Sequence, residues 1–210
     1  MSFYDDLKHA LHSNDKAGAV NLVITALDEG MALVELYENV LADILNTIDC
    51  DPYDEACIWL EHQISSITRT ILEVTYPYVV RQKKTLDQPK HVVIACPENE
   101  THELGALMGA NLFEYEGFTT TYIGADTPTS VLERALSTLK ADYVVLSVSN
   151  AYHLFDVDRA IARLRKTHSE VGIIGSGRAF VTNRAHFEKT VDAIINDHAA
   201  LRRFIEEVLA

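Results

Sequence analysis

The chain has 210 residues, of which 48% are hydrophobic, and a formal net charge of −13 from 31 acidic and 18 basic residues. This length allows one large domain or two small ones, and the apolar content is ample for a buried core. An acidic surface repels phosphate backbones, and the densest basic cluster, at residues 81–84, is short. We therefore expect no direct binding to nucleic acid.

The first eighty residues have a helical pattern. Four amphipathic segments follow one another with short connections, at residues 3–12, 15–30, 31–48 and 51–78. Asn14 or Asp15 is expected to cap the second helix, and Asp51 the fourth, with Pro52 in its first turn. Four such helices predict a four-helix bundle.

Beyond the polar residues 83–90 the pattern changes to alternating strands and helices. The predicted strands lie at residues 92–95, 119–123, 143–146, 171–174 and 193–195. The predicted helices lie at residues 103–115, 128–139, 154–165, 183–190 and 199–209. This alternation predicts an α/β fold with a flavodoxin-like, doubly wound, five-stranded parallel sheet. The expected organisation is a helical cap domain at 1–82, a linker at 83–90 and a Rossmann-like domain at 91–210.

Targeting signals and cysteine spacing suggest a compartment. No apolar run approaches the roughly 18 residues of a membrane span, and residues 1–6 lack the layout of a signal peptide. Cys50, Cys57 and Cys96 have neither zinc-site spacing nor an obvious pairing. We therefore expect reduced thiols, a cytoplasmic location and no association with a membrane.

Three loops of the second half carry polar residues and glycines. The first contains Glu100, His102 and Gly105, the second reads Ser-Val-Ser-Asn at 147–150, and the third reads Gly-Ser-Gly-Arg at 175–178. They follow strands one, three and four, whose carboxyl ends lie side by side in a doubly wound sheet. A carboxylate near a histidine can fix its tautomer, and a nearby glycine lets a bulky group approach the helix. This combination predicts a metal-ligating histidine beneath a large, flat cofactor.

Each of these residues also has an ordinary alternative. A lone loop histidine is usually a surface residue, and Gly105 could serve only helix–sheet packing. Gly175 and Gly177 could form turns, and the serines of the second loop could cap the next helix. The joint pattern favours a binding site over any of these separate explanations.

The pattern resembles a known family. Glu100-x-His102-x-x-Gly105, a serine about forty residues later at Ser147, and glycines about thirty residues further on are similar to the cobalamin-binding signature. That signature is Asp-x-His-x-x-Gly, Ser-x-Leu and Gly-Gly, found in B12-dependent methionine synthase and corrinoid methyl carriers. The helical half, especially residues 28–37, resembles the four-helix cap of those proteins, so the resemblance covers nearly the whole chain.

The resemblance implies a role for each residue of the first loop. His102 would bind cobalt from below, in place of the dimethylbenzimidazole of the cofactor, while Glu100, where the family usually has aspartate, would accept the other ring N–H. Gly105 would let the corrin lie close over the helix start. The implied cofactor is adenosylcobalamin or methylcobalamin, bound base-off and His-on.

The second and third loops would hold the displaced nucleotide tail. Ser147 would line the slot that receives it, together with Ser149, which stands where the family has leucine and makes the wall more polar. Gly175 and Gly177 would let the tail lie against the backbone, although Gly-Ser-Gly replaces the usual glycine pair.

The fourth helix offers candidates for the upper face of the cofactor, namely Trp59, Glu61 and His62. Light-sensing B12 regulators carry a tryptophan about ten residues before a Glu-His pair. Glu61-His62 matches the pair, but the expected tryptophan position falls near Asp51, and Trp59 is the only tryptophan of the chain. The alternative is that Glu61 and His62 are exposed helix residues while Trp59 belongs to the core.

Two functions follow from the resemblance. One is a stand-alone cobalamin-binding sensor that signals through a protein partner such as a transcription regulator. The alternative is a corrinoid methyl carrier that serves separate methyltransferases and has no catalysis of its own. A further alternative is a haem-binding or ligand-free regulatory relative. Glu100 and the Glu61-His62 pair favour the sensor. The acidic helical cap could also mediate a homodimer.

Overall fold

The computed structural model describes residues 2–48, 50–51 and 53–209. The chain forms two compact units, residues 1–82 and residues 83–210. Within the described ranges, no helix combines the length and the hydropathy that crossing a membrane requires.

The first unit consists of helices, as the sequence predicts. They are α1 (Phe3–His12), α2 (Lys16–Asp28), a π-helical stretch (Glu35–Leu41), α3 (Ala42–Asn46) and α4 (Glu55–Gln82). Their apolar faces form a shared core that includes Leu11, Val23, Leu36, Ile64 and Ile71. Burial of these side chains provides most of the stability of such a bundle.

Two helix caps in this unit differ in their agreement with the sequence. The Asp15 side chain accepts the backbone N–H of Gly18 at 2.8 Å, so a cap at this end of α2 is confirmed. The expected cap at Asp51 is wrong. Asp54 caps α4, since its Oδ1 accepts the backbone N–H groups of Ala56 and Cys57, both at 3.1 Å. Pro52 lies outside the described residues.

Cys50 and Cys57 form a disulfide, with Cα atoms 5.5 Å apart. The prediction of unpaired thiols is therefore wrong for these two residues. Cys57 lies in the first turn of α4, and Cys50 lies in the segment before that helix. A spacing of seven residues carries no sequence signal for pairing, because the distance is set by the path of the segment before the helix.

The second unit is the predicted flavodoxin-like fold. Its five parallel strands are β1 (His91–Pro97), β2 (Thr119–Thr127), β3 (Tyr143–Ser147), β4 (Gly172–Ser176) and β5 (Ala193–Ile194). The spatial order is β2-β1-β3-β4-β5, and every neighbouring pair is parallel. The helices are α5 (Leu104–Tyr115), α6 (Thr129–Leu139), α7 (Leu154–Thr167), α8 (Arg178–Thr182), α9 (Arg184–Phe187) and α10 (His198–Leu209). The carboxyl ends of β1, β3 and β4 are therefore adjacent, at the switch point where doubly wound sheets bind ligands.

A buried carboxylate holds together the opposite end of this unit. Glu116, directly after α5, accepts hydrogen bonds from Lys84 and His198, both at 2.6 Å, and from Arg202 at 3.3 Å. Lys84 belongs to the irregular residues 83–90, so this segment is tied to the sheet unit by its charge.

Candidate functional site

The site is built on the loop between β1 and α5. Glu100 in this loop is fully buried, whereas the side chain of His102 is about half exposed. Glu100 Oε1 accepts the backbone N–H of His102 at 2.9 Å and lies 2.6 Å from Nδ1 of the same residue. Because an ionised carboxylate only accepts hydrogen bonds, Nδ1 carries the proton and Nε2 is the atom suited to a metal.

The second oxygen of the same carboxylate reaches the loop after β3. Glu100 Oε2 accepts the backbone N–H groups of Ser149 at 2.8 Å and of Asn150 at 3.0 Å. One carboxylate therefore fixes the histidine and the neighbouring loop together. The sequence gives no signal for the contact to Asn150, because it is made through a backbone N–H.

These hydrogen bonds decide the charge of Glu100. Burial alone would raise the pKa of Glu100. The hydrogen bonds from the His102 ring and from the backbone N–H groups of Asn150, His102 and Ser149 outweigh burial and lower the pKa to about 2. The carboxylate is therefore ionised at neutral pH and stabilises the Nδ1–H tautomer of His102.

Cys96 is a buried cysteine near the end of β1, next to this loop. Burial, followed by the charge of Glu100, raises the pKa of the Cys96 thiol to about 12. Its Sγ is 3.7 Å from the carbonyl oxygen of His102. The thiol thus stays protonated and supports the loop. Among the described residues there is no cluster of three His, Cys, Asp or Glu side chains that could enclose a metal ion.

The three glycines of the motif differ in their surroundings. A Cβ atom added at Gly105, in the first turn of α5, would meet nothing within 4 Å. A Cβ at Gly175 would lie 2.3 Å from the ring of Phe180, and one at Gly177 would lie 2.5 Å from the carbonyl oxygen of Val148. The first turn of α5 is thus open on the side of Gly105. At Gly175 and Gly177, glycine is required by the packing of the protein itself, independently of any contact with a cofactor.

A cavity of about 320 Å³ opens beside the histidine, within the size range of small-molecule sites. It is lined by His102, Ser149, Asn150, Ala151, Arg178, Ala179 and Thr182. The first, second and third loops therefore meet at one cavity. Ser147 is buried at the end of β3, opposite Ser176, and is not among the lining residues. Arg178 and Thr182 were missed by sequence reasoning, although Arg178 stands within the third loop motif.

The remaining candidates lie on α4, in the helical unit. Trp59 is 64% exposed, so the alternative that it belongs to the core is wrong. His62 is exposed and Glu61 is half-buried. Their role towards a cofactor stays a prediction.

The fold and the site define a cofactor-binding α/β domain, with an oriented histidine at the carboxyl edge of a doubly wound sheet. The model of the B12 binding domain matches residues 90–201, more than half of the chain, and the chain belongs to this family. Its cofactor is cobalamin. The residues present fit this group, since His102 offers an imidazole nitrogen and Gly105 leaves the helix start open.

Known proteins are similar to the chain in sequence or fold. The HTH-type transcriptional repressor CarH of Myxococcus xanthus is 28% identical over 149 residues, which are 69% of this chain and 48% of that protein. The chain thus spans about half the length of this relative. The monomethylamine corrinoid protein of Methanosarcina barkeri has a TM-score of 0.78 at 19% identity, with 98% of both chains covered. The methanol:cobalamin methyltransferase complex MtaBC of the same organism has a TM-score of 0.53 at 14% identity. The match covers 99% of this chain and 79% of that one. Both structural likenesses concern the fold.

Proposed function

We propose that this chain is a cobalamin-binding sensor, which holds B12 base-off with His102 as the lower ligand of cobalt and signals through a protein partner. The observation that carries the proposal is the hydrogen bond between buried Glu100 and Nδ1 of His102, at 2.6 Å. It presents the ring in the tautomer and orientation that ligation through Nε2 requires. Bound cobalamin would supply a reactive cobalt–carbon bond.

The sensor role is supported by the connection that Glu100 makes between two loops. The carboxylate binds the histidine through one oxygen and the backbone of Ser149 and Asn150 through the other. Through Glu100, the position of His102 would therefore be coupled to the loop at Ser149 and Asn150, which precedes α7. The 28% identity to a transcriptional repressor agrees with this role.

A corrinoid methyl carrier is the second candidate. It is supported by the fold of the Methanosarcina barkeri corrinoid protein, which matches 98% of this chain at a TM-score of 0.78. In this role the same His102–Glu100 pair would hold the cofactor, and separate methyltransferases would be the partners.

The proposal also assigns a role to each domain and to the remaining candidate residues. Residues 1–82 would be a cap, 83–90 a linker and 91–210 the cobalamin-binding domain, with Trp59, Glu61 and His62 at the upper face. Ser149 would line the tail slot, a role supported by its place in the cavity. Ser147 would line the same slot, and Gly175 and Gly177 would let the tail lie against the backbone.

The compartment and the assembly are further parts of the proposal. We propose a cytoplasmic protein, with a transcription regulator or a methyltransferase as its partner and a homodimer as one form of assembly. The Cys50–Cys57 disulfide makes the compartment worth testing, because disulfides are rare in the cytosol. Thiol labelling of the protein in freshly lysed cells would show whether the pair is oxidised there.

The experiment that separates the two roles starts from purified protein loaded in darkness with adenosylcobalamin or methylcobalamin. For a sensor, illumination of the adenosyl form should change the oligomeric state or the binding of a regulator. Methyl transfer from the methyl form to a methyltransferase partner, without a light response, would assign the carrier role. A haem spectrum with no uptake of either cobalamin would contradict both.

A further inference from the structure

Arg178 is the cation of the cavity beside His102. The lining residues, taken from the described part of the chain, include one guanidinium and no carboxylate side chain. Arg178 is exposed, and its side chain makes no hydrogen bond or ion pair with any described residue. Arg178 lines this cavity in a chain of net charge −13. Its position makes it available to an anionic ligand.

The cavity contains polar groups that suit a phosphodiester. Ser149 and Thr182 add hydroxyl groups, and Asn150 adds an amide, around the guanidinium. The planar guanidinium binds phosphate oxygens in a bidentate manner, which gives both affinity and orientation. Cobalamin carries one such phosphodiester, in the nucleotide tail that must leave cobalt when a histidine takes its place.

We propose that Arg178 binds the phosphate of the cobalamin nucleotide tail and makes the protein select corrinoids that carry a complete tail. The inference rests on the proposed base-off binding, because only then does the tail enter this cavity. Arg178 is thus a specificity-determining residue, distinct from the cobalt ligand His102.

The test compares two corrinoids with the wild-type chain and with Arg178→Ala. Hydroxocobalamin carries the tail phosphate, and cobinamide lacks the nucleotide and its phosphate. Dissociation constants are measured by spectral titration in darkness. Arg178→Ala should weaken hydroxocobalamin binding about tenfold, as expected for an exposed charge-assisted hydrogen bond, and leave cobinamide binding unchanged. An equal loss for both corrinoids, a larger loss for cobinamide, or no loss for either would overturn the proposal.

Control variants and a third probe sharpen this result. Arg178→Lys should retain part of the affinity, because lysine keeps the charge without the bidentate geometry. Arg184 is an exposed arginine six residues later that pairs with Glu188 and does not line the cavity. Arg184→Ala should therefore change neither the dissociation constant of hydroxocobalamin nor that of cobinamide. Cobinamide phosphate should depend on Arg178 as hydroxocobalamin does. A dependence confined to hydroxocobalamin would assign the contact to the nucleoside and contradict the phosphate assignment.

The two proposals fail in different ways. If wild-type protein binds hydroxocobalamin without a base-off spectrum, the proposed function fails, and the Arg178 proposal fails with it. If the base-off spectrum forms and Arg178→Ala binds as tightly as wild type, only the role of Arg178 is overturned.

Discussion

The fully buried carboxylate of Glu100 lies 2.6 Å from Nδ1 of His102, a residue whose side chain is 54% exposed. An exposed loop histidine ordinarily samples several rotamers. Here a second bond, from the backbone N–H of His102 to the same oxygen, ties the loop to that carboxylate at 2.9 Å. The pair therefore supplies an oriented imidazole before any ligand arrives, which is the main physical argument for ligation at this position.

Replacing Glu100 by glutamine should destabilise the protein. All four partners of the carboxylate are N–H donors, and a glutamine NH₂ group would face two of them. We expect the free energy of unfolding to fall by about 1–3 kcal/mol, as for a buried group left unsatisfied. Urea denaturation measures this loss. Glu98→Gln, at an exposed position in the same loop, is the matched control and should leave stability unchanged.

The same carboxylate predicts how stability depends on pH. The pKa of Glu100 is lowered from 4.5 to about 2 in the folded protein. Between these values the unfolded state binds more protons, so the stabilisation is complete above pH 4.5 and is lost as the pH falls towards 2. The difference corresponds to about 3 kcal/mol. Denaturation of wild type and Glu100→Gln at several pH values should show the two converging in acid. A constant difference down to pH 2 would contradict the assigned pKa.

Much of the fold could be predicted because it depends on periodicity. Strands β1 and β3 follow runs of buried apolar residues, and the alternation of strands and helices predicts the parallel sheet. The choice between two neighbouring residues that could both cap a helix is harder to predict. Asp51 and Asp54 are both suitable caps, and only the path of the chain decides that Asp54 binds the first N–H groups of α4. Trp59 was open to a core role because its apolar character alone does not show which helix face is covered.

The candidate site likewise has one part that the sequence predicts and another that it does not. Glu100 and His102 carry a side-chain pattern that the sequence displays directly. Asn150 contributes a backbone N–H, which any residue could supply, so no sequence signal points to it. The Cys50–Cys57 pair likewise depends on the path of the segment before α4. Tertiary contacts made through backbone atoms or through loop paths have no residue-type signature.

Gly177 should resist substitution more strongly than another glycine of similar backbone conformation. Its φ is +89°, and a Cβ would lie 2.5 Å from the Val148 carbonyl oxygen. Gly30 has φ of +102° but open space around it. Gly177→Ala should therefore lower the free energy of unfolding by more than Gly30→Ala, whose backbone strain alone is worth about 1–2 kcal/mol. Thermal denaturation of the two variants tests the order, and equal losses would show that the contact with Val148 is easily relieved.

Gly105 should behave in the opposite way. Because a Cβ there meets no atom within 4 Å, Gly105→Leu should leave the protein without cofactor about as stable as wild type, within about 1 kcal/mol. The larger side chain would occupy the space over the helix start and weaken cobalamin binding strongly. Gly105→Ala should have an intermediate effect on binding. If Gly105→Leu binds cobalamin as tightly as wild type, the corrin does not lie against this turn.

The most direct test of the central claim is the absorption spectrum of the protein mixed in darkness with methylcobalamin, for wild type and for His102→Ala. Because about half of the His102 side chain is exposed to solvent, His102→Ala should fold. Far-ultraviolet circular dichroism checks this. We expect a base-off, histidine-ligated spectrum for the wild type and its loss in His102→Ala. The same histidine-ligated spectrum in the folded variant would show that His102 does not bind cobalt.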